Sequence, residues 1–176
     1  DLSGTMDQLE KLWYAKEGAI ALAMASSQYG DRMGIVTFSN LANVVSDLTT
    51  NTYMLTEKVL DLDLHDNAFT NLGFGLLRAR GLFARHSKSR GKQHIILVSD
   101  GDATAPHPSP ARFAIQEAAK TVRKGISISC ICINEKNSDP DLMSKIARIG
   151  RGRMTSIEHT EGMKDAVMEE RSVAGV

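Results

Sequence analysis

The sequence predicts an α/β domain built on a mostly parallel sheet with helices on both faces. Two observations carry that prediction. The hydrophobic pattern reads helix–strand–strand–helix–helix and then alternates strictly between strand and helix, the order that parallel crossovers produce. The chain has 176 residues, 42% of them apolar and 24% charged, as in one soluble domain able to bury about 70% of its unfolded surface. Residues 1–176 therefore read as a single domain.

The first helix spans residues 7–28. Leu9, Leu12, Trp13, Ile20, Ala23 and Met24 recur near helical spacing, and Gly18 to Ala25 is apolar nearly all round, which predicts a largely buried helix. Gly30-Asp31 breaks it. Met33 to Phe38 and Leu41 to Val45 are short strands around the turn residue Asn40, a tight hairpin. Residues 52–62 form a helix with Leu55, Val59 and Leu62 in phase, and Asn71 to Arg85 forms the next. A strand over 94–99 follows, then a helix over 109–124 closed by Gly125 just past Lys124. Ile126 to Ile133 is a strand. Pro140 to Ile149 is a helix with Asp139 as N-cap and proline at the first position. Met154 to Ile157 is a short last strand, and Thr160 to Glu170 a last helix capped by Thr160. No internal repeat or low-complexity tract occurs.

Charge and composition exclude several function classes. Lys plus Arg equals Asp plus Glu, 21 of each, so no overall charge argues for nucleic acid or a membrane surface. No apolar run approaches the roughly 20 residues that span a bilayer, and there is no signal-peptide pattern. Six cations between Asn67 and Ser99, from Arg78 to Lys92, face no acid in that stretch; the run Arg85 to Lys92 falls where a helix turns back to a strand, and reads as a solvated helix end. Cys130 and Cys132 lie on one strand face and read as small buried hydrophobes, with free thiols that suit a reducing, cytoplasmic compartment. Gly73-Phe74-Gly75 lacks the third glycine of a dinucleotide loop, no Walker-type motif occurs, and Ser3 lacks the glycine pair of a hydrolase elbow. Asp61-Leu62-Asp63 has the look of a phosphatase motif but follows a helix rather than a strand, and reads as a solvated helix end and turn.

The chemistry lies in oxygen ligands. Asp1, Ser3 and Thr5 alternate, so an extended loop aims a carboxylate and two hydroxyls to one side, and no base adjoins either hydroxyl to make it a nucleophile. Such a set suits a hard cation such as Mg2+. Thr70 precedes a helix, and Asp100 closes the strand Ile95–Ser99 ahead of Gly101. Both belong to the carboxyl rim of the sheet, where open α/β sheets bind ligands.

Together these positions resemble the metal-ion-dependent adhesion site of von Willebrand factor A domains. That family carries Asp-x-Ser-x-Ser/Thr after its first strand, a Thr before its third helix and a strand closing in Thr/Ser-Asp-Gly. Asp1, Ser3, Thr5, Thr70 and Asp100 match all five ligand positions. The resemblance implies a Rossmann-like doubly wound sheet with one antiparallel edge strand. It also implies a divalent cation (Mg2+, or Mn2+ or Ca2+) bound directly by Ser3 and Thr5 with Thr70 close behind, and by Asp1 and Asp100 directly or through water. A protein partner presenting Asp or Glu is expected to complete the coordination. Ala15–Ala19, Gly30–Met33 and Ala118–Gly125 are similar to A domains of magnesium-chelatase D-type subunits and of proteins that work with MoxR-type AAA+ ATPases, which makes an AAA+ partner the expectation. One departure concerns the fold: the family's central strand leads into the first metal aspartate, whereas this sequence opens on Asp1. The strand expected between Met33–Phe38 and Gln93–Ser99 is not in residues 1–176, as in a chain truncated before Asp1.

The alternative is a metal-dependent phosphoryl-transfer or hydrolytic enzyme using Asp1 and Asp100. Such sites add a Lys or Arg clamp, and none adjoins Asp1, Thr70 or Asp100 in the sequence. The loop Asp102–Pro110 holds three of the four prolines and reads equally as a stiff wall beside the metal or as a rigid connection; its His107 reads as a bystander. Asp100→Ala is expected to abolish cation binding and leave the fold intact, because Ile95 to Val98 serve the core.

Overall fold

The computed structural model describes residues 1–4, 6, 11–64, 69–86, 91–106, 108–133, 138–157 and 162–174. In chain order the elements are α1 (Lys11–Gln28), β1 (Met33–Phe38), β2 (Ala42–Thr49), α2 (Thr52–Leu60), α3 (Leu72–Arg85), β3 (His94–Ser99), α4 (Pro110–Val122), β4 (Ser127–Ile133), α5 (Pro140–Ile149), β5 (Arg151–Ile157) and α6 (Met163–Ala174). Every predicted element is present among the described residues. Helix starts agree with cap chemistry: Asn51, Asn71 and Asp139 side chains accept from the N–H groups of Met54, Phe74 and Leu142. Gly125 takes φ +80, the left-handed turn expected past α4. The predicted cap Thr160 lies outside the described residues, as do residues 7–10 of the predicted first helix.

Two strands run longer than predicted. β2 continues through Ser46–Thr49 and β5 begins at Arg151, because ladder bonds to β1 and β4 hold polar residues extended where side-chain pattern gives no signal. The pairing itself divides in two. β1 and β2 form an antiparallel pair, whereas β3, β4 and β5 form a parallel sheet in the order β3-β4-β5. β1 and β3 do not pair with each other. Between them lies a slot of about 290 Å3, lined by Met33–Phe38 on one side and His94–Val98 on the other, with Leu12, Ala19 and Leu22 of α1 and Leu76 and Leu82 of α3 above and below. The expected gap between these two strands is therefore present among the described residues.

Helices cover both faces. On one, Leu72 and Leu76 of α3, Ala114 and Ala118 of α4, and Leu142, Met143 and Ile146 of α5 pack on Leu97, Ile128, Cys130 and Cys132. On the other, Met163, Ala166 and Val167 of α6 pack on Ile131, Ile133 and Ile157, with Tyr14, Ala15 and Leu22 of α1 against them. The pair Gly73-x-Gly75, unexplained as a ligand loop, is a packing device: a Cβ on Gly73 would strike the Phe113 ring, and one on Gly75 would lie 2.8 Å from the Phe38 ring. Cys130 and Cys132 are buried and free, as expected. Burial pushes the Cys132 thiol up to about 11, with Asp100 and Asp139 adding to the rise. Thiols this buried stay reduced in any compartment, so they carry no argument about location. Arg78 and Arg80 serve the fold: Arg78 donates to Ala42 O, and Arg80 pairs with buried Glu117 at 2.7 Å.

Candidate metal centre

The rim of the fold is tied together by main-chain hydrogen bonds between loops far apart in sequence. Leu2 N–H donates to Phe38 O at 2.8 Å, and Asn71 N–H to Ser39 O at 3.0 Å. Thr104 and Ala105 N–H groups both donate to Thr70 O at 3.1 Å, and Asp139 N–H donates to Asp100 O at 3.0 Å. These bonds gather Asp1, Ser3, Thr70 and Asp100 at one end of the strands, as predicted. Thr5 lies outside the described residues.

Each ligand candidate is oriented by a neighbour. Asp1 accepts from Ser3 N–H through Oδ1 at 2.9 Å and from the Ser99 hydroxyl through Oδ2, so its carboxylate is held from two directions. Ser99 Oγ in turn accepts from Gly101 N–H at 3.0 Å, which couples the Asp1 loop to the Asp100 turn. Asp100 Oδ1 accepts from Asp102 N–H at 3.2 Å. Ser3, Thr70 and Asp100 are 0%, 2% and 3% exposed, so the polar groups are withdrawn from bulk water and gain from a bound cation. The donor set of two carboxylates plus hydroxyls fits a hard cation. Among the described residues no group of three or more His, Cys, Asp or Glu side chains is placed together, so a cation here would draw on the hydroxyls as well as the carboxylates.

Two further acids flank the centre. Asp102 has its carboxyl held above the usual range, first by burial and then by Asp100 and Asp139. Asp139 is occupied as the cap of α5. The proline-bearing loop is fastened by its N–H groups to Thr70 O, and Thr104 Oγ1 accepts from Thr70 N–H at 2.8 Å, so it is held beside Thr70 on the rim. His107 lies outside the described residues. Asp61 and Asp63 are exposed at the end of α2, a helix end as predicted.

One prediction is overturned. A cation does stand beside the carboxylates: Lys11 Nζ lies 3.7 Å from Asp100 Oδ2, with side chains only 2% and 4% exposed. Adjacency in sequence could not show it, because Lys11 reaches Asp100 from α1, far away in the chain. Buried as it is, Lys11 does not project to solvent to clamp a phosphate, so the enzyme alternative gains nothing from it.

The turn after Asp100 admits no side chain. Gly101 has φ +82, and a Cβ there would meet Asp139 O at 2.6 Å and Met143 Cγ at 2.7 Å. Gly101→Ala is expected to cost about 2 kcal/mol or more, through left-handed strain plus displacement of the Asp139 backbone. Urea melts check this, and a loss under 0.5 kcal/mol would show that the turn relaxes freely.

The sequence pattern of the von Willebrand factor type A domain matches residues 1–169. The chain belongs to that family. A von Willebrand factor type A structure from Catenulispora acidiphila is 23% identical with a TM-score of 0.83, over 99% of this chain and 41% of that one. The corresponding domain of the type V pili tip protein Mfa5 from Porphyromonas gingivalis is 16% identical with a TM-score of 0.79, over 99% and 91%. Proximal thread matrix protein 1 of the mussel byssus, with a zinc-occupied MIDAS motif, is 17% identical with a TM-score of 0.76, over 97% and 44%. No curated protein matches the sequence. At these identities the likeness shows the von Willebrand factor A fold.

Proposed function

We propose that this von Willebrand factor A domain is a protein-interaction module whose rim binds an acidic side chain of a partner through a divalent cation, Mg2+ in the first instance. The observation that carries the reading is the Asp1 carboxylate, held by Ser3 N–H and the Ser99 hydroxyl beside buried Ser3, Thr70 and Asp100. Asp1, Ser3, Thr5, Thr70 and Asp100 would hold the cation, which supplies a Lewis-acid contact for the partner's carboxylate. The chain's own residues do the rest. Ser99 and Ser3 fix the Asp1 carboxylate, and the loop from Asp102 to Pro106 walls one side.

The rim also offers apolar contact. Phe69 and Leu41 are 55% and 65% exposed, on loops joined where Asn40 Oδ1 accepts from Phe69 N–H. Exposed apolar side chains beside a charged anchor are what a selective interface uses. Within this reading the partner is an AAA+ ATPase of chelatase or MoxR type, supported by the likenesses at Ala15–Ala19, Gly30–Met33 and Ala118–Gly125. Such a partner would place the complex in the cytoplasm.

The complex is expected to dissociate in EDTA, to return with Mg2+ or Mn2+, and to be lost when the partner's acid becomes Asn or Gln. Phe69→Ala should weaken it about tenfold without altering cation affinity. A partner that binds equally in EDTA, measured by biosensor, rules out the metal-bridged mechanism.

A further inference from the structure

We infer that Lys11 is a tethered counter-ion of the metal centre: it holds Asp100 when no cation is bound and sets how tightly a divalent cation can take over. The inference rests on the metal-bridged reading above, and goes beyond it by assigning a role to a residue that is no ligand. Four observations support it. Lys11 is 1% exposed, so its ammonium is committed to the protein interior. Its Nζ stands 3.7 Å from Asp100 Oδ2. The other Asp100 oxygen is engaged by Asp102 N–H, which leaves Oδ2 as the oxygen facing positive charge. Lys11 is also a residue of α1 only ten positions after Asp1, so a short stretch of chain ties it to the loop that carries Asp1 and Ser3.

The consequence is competition. A cation held by Asp100 comes within a few ångström of the ammonium, and repulsion at that range changes a binding constant about tenfold or more even when well screened. Asp100 and Asp139 both act on the neighbouring Asp102 and Cys132, and Lys11 offsets part of that negative charge at Cys132, so the rim around Asp100 is an acidic neighbourhood that Lys11 partly neutralises. Lys11 thus keeps the acidic rim assembled without metal, at the expense of metal affinity. A partner's carboxylate, adding negative charge, would then strengthen cation binding, so cation and partner bind as a coupled pair.

The test is titration with Mn2+, by calorimetry and by loss of the free-ion electron paramagnetic resonance signal, on wild type and Lys11→Met. Both are prepared as residues 1–176 and with a Val/Ile-rich strand fused ahead of Asp1 to fill the central slot, and the form that melts cooperatively is used. Lys11→Met is expected to bind Mn2+ about tenfold more tightly, to melt lower than wild type in EDTA, and to gain more in melting temperature when Mn2+ is added. A purely structural lysine would lower the melt without tightening the ion. If wild type binds Mn2+ and Lys11→Met binds it equally or more weakly, the counter-ion role is wrong while the metal reading stands. If neither folded protein binds Mn2+, the metal reading fails and this inference with it. Should Lys11→Met not fold, Lys11→Gln, which removes the charge and keeps a polar end, takes its place with the same criteria.

Discussion

Fusing a six-residue Val/Ile strand ahead of Asp1 is expected to raise the melting temperature of residues 1–176 by more than about 10 °C. The slot between β1 and β3 presents two strand edges, and each carries backbone groups with no ladder partner on that side. Its volume of about 290 Å3 takes several Val or Ile side chains, each worth about 1.5–3 kcal/mol when fully buried. A domain of this size shifts by about 2–4 °C per kcal/mol, so a gain of about 5 kcal/mol gives the stated rise. Asp1 and Leu2 already start the ladder, with the Asp1 nitrogen 3.5 Å from Val98 O and Leu2 N–H on Phe38 O. An inserted segment leading into Asp1 would run parallel to both neighbours. Thermal melts by circular dichroism compare the bare chain, the fusion, and a fusion whose strand carries alternating Asp. Without the strand the chain is expected to be loosely folded and prone to aggregate; equal, cooperative melting of all three would show that the slot does not take a strand.

Asp100→Ala is expected to destabilise the cation-free protein by about 3–5 kcal/mol, since removing one member of a buried ion pair leaves the other uncompensated. This reverses the sequence-based expectation that the substitution spares the fold. Asp100 is more than a candidate ligand on the rim; it is the partner of an ammonium with almost no access to water. Lys11→Met with Asp100→Ala should recover most of the loss, because two apolar side chains replace the pair. Urea melts in EDTA of wild type, both single variants and the double variant give the coupling directly. Additive losses would mean that the two residues do not act as a pair.

Much of this was readable from residue order alone, and what was not has identifiable causes. β3 and α5 were legible to the residue. Ile95 to Val98 is an unbroken apolar run ending in Asp-Gly, and Asp139-Pro140 marks a helix start twice over. The carboxylates and Thr70 were legible because their spacing from regular elements fixes them to one rim. β5 was read three residues short because it begins with Arg151 paired to Ile128 and then passes through an irregularity at Gly152 and Arg153, where no alternation of side chains reports a strand. Lys11 was missed for a deeper reason: a lysine on a helix is read as solvated, and only the packing of α1 against the end of β3 makes it internal. The sheet's division into two pairings was foreseen from the missing strand, but the slot's walls needed the helices in place.

Main-chain bonds hold the rim together, and this has a consequence for redesign. The ties from Leu2 to Phe38, Asn71 to Ser39 and Asp139 to Asp100 link backbone groups whatever the side chains are. Leu41, Phe69 and Asp102 border these ties without making them through their own side chains. They can be randomised as a display surface on a constant backbone frame. The scaffold then resembles a socket with exchangeable lips, and selection on those three positions would retarget the proposed interaction face while Asn40, Thr104 and Asp139, whose side chains accept structural hydrogen bonds, are left unchanged.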